Sequence, residues 1–378
     1  MKKWIGALLA ALCMVTLLPV QAAAVELPLT SRAALLMEKT TGQILFAQNE
    51  HEKLEPASVT KIMTLLLTMD AIDSGALAYD DVVTVSANAA GMGGSQVFLA
   101  EGEQITVEEL LKCVCVSSGN DAAVALAEKV AGVTELFVEQ MNNRARGLGM
   151  DDTHFVNPTG LTAEGHVTSA HDIALMSREL LTKHPDIRSF TTIWTDSIRG
   201  GTFDLANTNK LIRFYQGATG LKTGYTVGAG YCLSASAKRE GMELIAVVMD
   251  CETSQKRNAD CKSMLDYGFA NYSVVRPGLK EGRTVAVRLG KQESVPVELT
   301  RRQDILVEKA KRTSLTAKVE LAKEVNAPVQ KGQELGLLTV YSGEKMLIQL
   351  PLVAGETVER LSFWDVMKQF MKKIVGKD

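Results

Sequence analysis

The hydrophobic period of this chain changes twice, and that alternation restricts its fold more than any single motif. Ala33 to Met37 and Gln43 to Ala47 are short apolar runs joined by a turn at Lys39-Thr40-Thr41-Gly42, the pattern of two strands. Helical spacing then takes over. Ile62, Leu65, Leu66 and Met69 share one face of a helix from about Ser58 through Asp70, entered from Pro56. Glu108 to Val116 and Asp121 to Val130 read as helices broken at Ser117-Ser118-Gly119-Asn120. Glu135 to Leu148, before Gly149, and Ser169 to Leu181 are two more. Strand periodicity returns over Thr219 to Thr226, Gly230 to Ala237 and Leu244 to Met249, and Ser263 to Tyr272 closes the region as a helix. The expected class is α+β: an antiparallel sheet with a helical cluster inserted between its early and late strands.

From Pro277 the texture changes. Thr284 to Leu289, Val295 to Leu299, Ile305 to Glu308, Thr316 to Leu321, Leu335 to Tyr341 and Met346 to Leu350 are short alternating runs separated by Gly or charged turns. The chain therefore divides into a main domain over 25–275, a small all-β domain over 276–357 and a tail over 358–378. In the tail, Leu361, Trp364, Met367, Phe370, Met371 and Ile374 recur at helical spacing opposite Lys368, Gln369, Lys372 and Lys373. An aromatic-rich apolar stripe facing lysines suits an amphipathic helix lying on a membrane surface. It is too short and too charged to span. A terminal helix docked on its own domain is the plainer alternative.

The first residues add an address. Lys2 and Lys3 precede the apolar run Ile5 to Val20, and Ala22-Ala23-Ala24 offers a small-residue cleavage site, the layout of a secretory signal peptide over 1–24. Cleavage falls after Ala22 or after Ala24. The run is shorter than the ~20 residues of a membrane span, which disfavours an uncleaved anchor. Loss of Cys13 would leave Cys113, Cys115, Cys232, Cys251 and Cys261, an odd number that argues against a complete disulfide framework. The histidines form no H-E-x-x-H and no zinc-spaced cluster with cysteine, so no metal and no cofactor are expected. A net charge of −3 supplies no global attraction for nucleic acid.

Three short motifs carry the chemistry: Ser58-Val59-Thr60-Lys61, Ser118-Gly119-Asn120 and Lys222-Thr223-Gly224. Each alone is weak, since a chain of this length contains roughly one or two S-x-x-K matches by accident. Their order and context say more. Ser58 lies at the positive end of an apolar core helix, and Lys61 three residues on shares its face, within reach of the hydroxyl. An ordinary lysine, with pKa ~10.4, is useless as a base near neutrality, so Lys61 must be desolvated or stand beside another cation. Lys222 is a candidate for that cation. Ser118 can relay a proton, and the Asn120 amide can bond both a lysine and a substrate amide. Lys222 and Thr223 offer charge-assisted bonds to a carboxylate, and Gly224 beside them permits close backbone approach to an edge-bound peptide. The plain alternatives are a capping serine, an interhelix turn and a hairpin lysine.

With these motifs assembled, the sequence resembles the penicillin-binding, active-site-serine family, whose signatures are S-x-x-K, S-D-N and K-T-G. Within it the chain is similar to the low-molecular-weight D-alanyl-D-alanine carboxypeptidases with a C-terminal β-domain and amphipathic tail. The likeness includes Ala33-Ala34-Leu35-Leu36-Met37, Pro56-Ala57-Ser58, Ser117 to Ala122, Asn157-Pro158-Thr159-Gly160-Leu161 and Gly220 to Thr226. The middle motif is S-G-N, the carboxypeptidase form. The resemblance implies a serine β-lactamase/penicillin-binding-protein-like fold in which Ser58 attacks the D-Ala-D-Ala amide and Lys61 takes its proton. It implies that Ser118 and Asn120 relay protons and position substrate, and that Lys222 and Thr223 hold the terminal carboxylate. The N–H groups of Ser58 and Tyr225 would form the oxyanion hole. Arg257 matches an arginine near the carboxylate pocket. The implied partners are peptidoglycan stem peptides ending in D-Ala-D-Ala, β-lactam antibiotics as covalent inhibitors, and the outer face of the cytoplasmic membrane.

Three rival functions share these residues. A class A β-lactamase would carry a Glu-x-x-Leu-Asn segment between the second and third motifs, and Glu164 and Glu179 lack the downstream Leu-Asn. A non-catalytic cell-wall binding protein would not need Ser58, Lys61 and Lys222 intact. An endopeptidase or transpeptidase differs only in the acceptor of the acyl group, which these motifs do not specify.

Overall fold

A computed structural model describes residues 27–301 and 303–375, so the leader read over residues 1–24 lies outside the described residues. Strands β1 (Ala33–Glu38) and β2 (Ile44–Gln48) form a hairpin. The helices that follow are α1 (Lys61–Asp73), α2 (Val107–Lys112), α3 (Asn120–Ala131), α4 (Thr134–Gly147) and α5 (Ala170–Lys183). Then come β3 (Ala218–Thr226), β4 (Gly230–Arg239), β5 (Met242–Cys251) and α6 (Ser254–Asn271). The five strands make one sheet in the order β2-β1-β5-β4-β3, every pairing antiparallel. The early hairpin does pair across the helical insertion, with Leu35 opposite Val247 and Leu36 opposite Ala246.

Both faces of this sheet are covered, which explains why β1 is apolar at nearly every position. Ala33, Leu35 and Met37 face the helical cluster, packing into the core with Ile62, Leu65, Leu66, Leu126 and Ile173. Ala34 and Leu36 face the other way, against Cys261, Met264, Leu265 and Phe269 of α6. Side-chain caps set helix starts: Thr106 for α2, Ser169 for α5 and Thr253 for α6 each accept a backbone N–H at 3.2 Å.

Three local expectations are corrected. The closing helix, expected over Ser263 to Tyr272, starts at Ser254. Its first turns are too polar to show an apolar stripe, yet Arg257 and Asp260 are buried within them. The helix expected through Val116 changes to a π turn over Cys113–Ser117, after which Ser118 is left-handed at φ 64°. Ser58, expected to begin the helix, lies instead on a 3-10 turn, Ala57–Thr60, ahead of α1, which starts at Lys61. Two small hairpins, pairing Val82–Thr84 with Gln104–Thr106 and Thr195–Ile198 with Phe203–Ala206, escaped the periodicity reading.

Beyond α6, β6 (Tyr272–Val275) pairs with β9 (Ile305–Glu308). The remaining strands are β7 (Thr284–Arg288), β8 (Ser294–Leu299), β10 (Leu315–Leu321), β11 (Glu324–Asn326), β12 (Glu334–Ser342) and β13 (Lys345–Ala354). They form a six-stranded sheet in the order β10-β12-β13-β8-β7-β11, with its own core of Val285, Val295, Val329, Leu338, Leu350 and Leu352. Helix α7 (Phe363–Val375) ends the described chain. It leaves Phe363, Trp364, Met367, Phe370 and Met371 exposed, Trp364 by 71%, rather than docked on the protein. The side chains of Gln369, Lys372, Lys373 and Ile374 lie outside the described residues.

Leu350→Ala empties a fully buried position of the second core and should cost ~2–5 kcal/mol. Calorimetry should show one transition moving down while another stays. A single transition moving as a whole would mean that the two cores unfold together.

Candidate active site

The site is built where the edge of the sheet meets the first turn of α1. Ala57, immediately before Ser58, takes a left-handed φ of 48°, a conformation that costs an L residue energy and persists only when its surroundings enforce it. Gly160 is that enforcement: a Cβ there would sit 1.8 Å from the Ala57 carbonyl oxygen. Its segment is itself locked, because Asn157 Oδ1 accepts from the N–H groups of Thr159 and Gly160, and Thr64 Oγ1 donates to Pro158 O at 2.7 Å.

Lys61 opens α1 and is fully buried. Its Nζ lies 2.9 Å from Ser58 Oγ, 2.5 Å from Asn120 Oδ1 and 2.8 Å from Thr159 O. Asn120 is oriented for this by donating Nδ2 to Gly93 O at 2.6 Å. Two of the three neighbours of Nζ are carbonyl oxygens that can only accept; the third is a hydroxyl that can donate. A neutral amine, with two N–H groups and one lone pair, satisfies all three if its lone pair faces Ser58. Burial, and next the charge of Lys222, hold Lys61 well below the ordinary lysine range, against an opposing pull from Asp121. The second cation expected from the sequence is therefore present.

Strand β3 is one of the two edge strands of the sheet. Gly224 presses on the nucleophile's turn: a Cβ at this position would fall 3.1 Å from Ser58 N and 2.8 Å from Pro56 O. Lys222 is buried, with Nζ donating to Thr223 O at 2.9 Å. Burial lowers its pKa to about 7; Arg257 pushes the same way and Cys115 opposes. Arg257 thus joins the site electrostatically from the first turns of α6, its guanidinium 5.9 Å over the Tyr231 ring. Tyr225 stacks on Tyr231 at 4.3 Å and stays half exposed. Thr223 Oγ1 donates to Thr208 Oγ1 at 2.8 Å.

Ser118 stands two residues from Asn120, only 4% exposed. The hydrogen-bond contacts of Lys61 Nζ are with Ser58, Asn120 and Thr159 and that of Lys222 Nζ is with Thr223, so the Ser118 hydroxyl is bound to neither amine.

Other nucleophile and base chemistries are poorly served. The described cysteines are free and buried, and burial pushes the Cys115 and Cys232 thiols up to about 12, far from thiolate. His166 is lowered to about 4 by burial; its Nδ1 accepts from Val156 N–H, so Nε2 donates to Thr60 Oγ1 at 2.8 Å. Among the described residues no group of His, Cys, Asp and Glu could hold a metal. A second S-x-x-K, Ser342 to Lys345, falls on the β12–β13 hairpin with Lys345 in solvent, which shows how little that spacing means without burial.

The structure puts Ser58, Lys61 and Asn120 in hydrogen-bond contact and presses Gly224 of the Lys222–Tyr225 strand segment on the Ser58 turn. It sets Lys222 near enough to Lys61, and Arg257 near enough to Lys222, for their charges to be felt. Among the described residues no hydrogen bond ties Ser118 to them. Sequence reasoning missed the Thr159 carbonyl and the Gly160 wedge. Their only signal was the turn cluster Asn-Pro-Thr-Gly.

A sheet edge, a helical cluster and a buried lysine against a serine define an active-site-serine class of fold. Comparison with known proteins narrows it. Residues 20–253 match the family described as D-alanyl-D-alanine carboxypeptidase, and residues 270–360 match the penicillin-binding protein 5, C-terminal domain. The chain is 43% identical over 353 residues to D-alanyl-D-alanine carboxypeptidase DacF of Bacillus subtilis, covering 92% of this chain and 90% of that one. Penicillin-binding protein 5 from Haemophilus influenzae superposes with a TM-score of 0.76 at 31% identity, over 89% of this chain and 99% of that one. Penicillin-binding protein D2 from Listeria monocytogenes in its ampicillin-bound form superposes at 0.60 with 32% identity, over 65% of this chain and 100% of that one. The chain belongs to the D-alanyl-D-alanine carboxypeptidase family.

Gly160→Ala combines a φ of 82° with a clash against backbone, and should destabilise the protein by about 2 kcal/mol or more. Thermal denaturation reads the loss, and labelling by a fluorescent penicillin should slow in parallel as Ser58 is displaced.

Proposed function

We propose that this chain is a serine D-alanyl-D-alanine carboxypeptidase that removes the terminal D-alanine of peptidoglycan stem pentapeptides. The observation that carries the reading is the contact of 2.9 Å between a fully buried Lys61 Nζ and Ser58 Oγ, with a second buried lysine lowering the amine's proton affinity. In the reaction, the substrate carboxylate binds Lys222 and Thr223, and the scissile carbonyl lies over Ser58. Lys61 takes the hydroxyl proton as Ser58 Oγ bonds to the carbonyl carbon. The negative oxygen that forms is met by the N–H groups of Ser58 and Tyr225, donors whose loss typically costs ~10²–10³ in rate. The C–N bond then breaks, and the proton held by Lys61 passes to the leaving amine through Ser118, whose hydroxyl is uncommitted. Water attacks the ester, Lys61 again accepting a proton, and Ser58 is regenerated. No cofactor enters. A penicillin presents an amide and a carboxylate in the same relation and acylates Ser58.

The protein is exported and lies on the outer face of the cytoplasmic membrane in this reading. The charged and apolar leader supports export. The exposed Trp364, Met367, Phe370 and Met371 of α7 support surface attachment. Among the described residues no helix is long and apolar enough to cross a membrane. The domains run over 25–275 and 276–357.

Intact-mass measurement after benzylpenicillin treatment should find one covalent adduct on the wild type and none on Ser58→Ala, and a pentapeptide ending in D-Ala-D-Ala should release D-alanine. A protein that is acylated yet hydrolyses nitrocefin rapidly would be a β-lactamase instead.

The lysines set the pH profile. Lys222 must be charged to hold a carboxylate, and a lowered pKa means that the charge is lost as pH rises through about 7. Lys61 must be neutral, so activity is lost on the acid side as it protonates. A bell-shaped kcat/KM with an alkaline limb beginning about pH 7 is expected. Lys222→Arg, whose guanidinium stays charged, should move that limb upward while leaving the acid limb in place.

A further inference from the structure

The direction of the substrate follows from the site. With its carboxylate at Lys222 and Thr223 and its scissile carbonyl between Ser58 N and Tyr225 N, the acyl part runs past Tyr225 toward Thr226 and Val227. An extended chain advances about 3.4 Å per residue, so the residue preceding the acylating D-alanine passes beside Thr226. The charged side chain standing there is Glu55, three residues before the nucleophile. Its Oε2 accepts from Thr226 Oγ1 at 3.4 Å and from Thr162 Oγ1 at 3.3 Å, both long. Among the described residues Oε1 accepts no hydrogen bond, and no Lys, Arg or His forms a salt bridge with this carboxylate. Gly228 brings the following loop against it, a Cβ there falling 2.9 Å from both oxygens. Val227 is 93% exposed, so this end of the cleft is open.

We infer that Glu55 binds the side-chain ammonium of the diamino acid that precedes D-Ala-D-Ala in a stem peptide, and so selects substrates bearing a free amine there. The inference rests on the carboxypeptidase reading above. A half-buried carboxylate without a cation has lost part of its hydration and gained no counter-charge. An incoming ammonium supplies a charge-assisted bond and rejects neutral or acidic side chains at that position. Lysine and diaminopimelate both carry the group. A purely structural brace between Thr162 and Thr226 needs only an acceptor, which glutamine retains. Charge is what the amide removes.

The test compares D-alanine release from three synthetic pentapeptides with lysine, Nε-acetyl-lysine or diaminopimelate at the third position, by wild type, Glu55→Gln and Glu55→Lys. The wild type should favour free-amine lysine over its acetylated form by roughly fivefold in kcat/KM, the range of a partly exposed ion pair, and less at high salt. That ratio should fall to about one in Glu55→Gln and below one in Glu55→Lys. The lysine and diaminopimelate arms distinguish the two sources of the amine. A ratio unaltered in Glu55→Gln overturns the inference. Benzylpenicillin acylation of each variant certifies a folded Ser58 site. Absence of D-alanine release from every peptide by the wild type overturns instead the carboxypeptidase reading, and this inference with it.

Discussion

The arrangement on which the rest of this molecule depends is an amine removed from water and surrounded by two carbonyl oxygens and one hydroxyl. Lys61 is the largest fully buried charged-type side chain in the helical cluster, and burial is what makes it useful. A solvated ammonium would hold its proton; burial, with the charge of Lys222 added and that of Asp121 opposing, lowers the hold of Lys61 on it. Stability alone would favour an apolar residue here. The cost is met by the fixed acceptors, Asn120 Oδ1 and Thr159 O, which leave the lone pair one direction in which to point.

Topology brings the parts together. The nucleophile's turn follows the first hairpin, while Lys222 lies on β3, an edge strand of the same sheet. Antiparallel pairing through β1, β5 and β4 sets the height of Lys222 relative to Ser58, and Gly224 lets the edge approach the turn without a side chain between. The helical insertion supplies Asn120 from the start of α3, just beyond the π turn. Ala57 beside the nucleophile and Ser118 ahead of Asn120 are both left-handed, and strain of this kind persists where packing on several sides over-determines it.

The chain was legible where information is local or periodic. The strands of the main sheet, most long helices and the second all-β region follow from alternation and helical spacing, while the two small hairpins do not. Ser58 and Lys61 are one helical turn apart, so their neighbourhood could be read directly. The start of α6 was hidden because its buried residues, Arg257 and Asp260, are polar and leave no apolar stripe. The π turn was hidden because one extra residue in a helix alters no composition. Thr159 acts through its backbone carbonyl, a group every residue possesses, so no side chain announced it. Glu55 resembled any loop acid until its neighbours Thr162 and Thr226, distant in sequence, were in view.

The sequence by itself determined which chemical groups are present, their order, and the periods that make an antiparallel sheet with helices on it. It determined the burial of α1, because a run as apolar as Ile62 to Met69 has no other stable place. Only the tertiary structure decided that burial lowers the proton affinity of the two lysines, the direction in which Lys61 points, and the strain at Ala57 imposed by Gly160. The physical reason is that proton affinity and strain depend on what surrounds a group in space. Here those surroundings come from residues 59, 98 and more positions away along the chain.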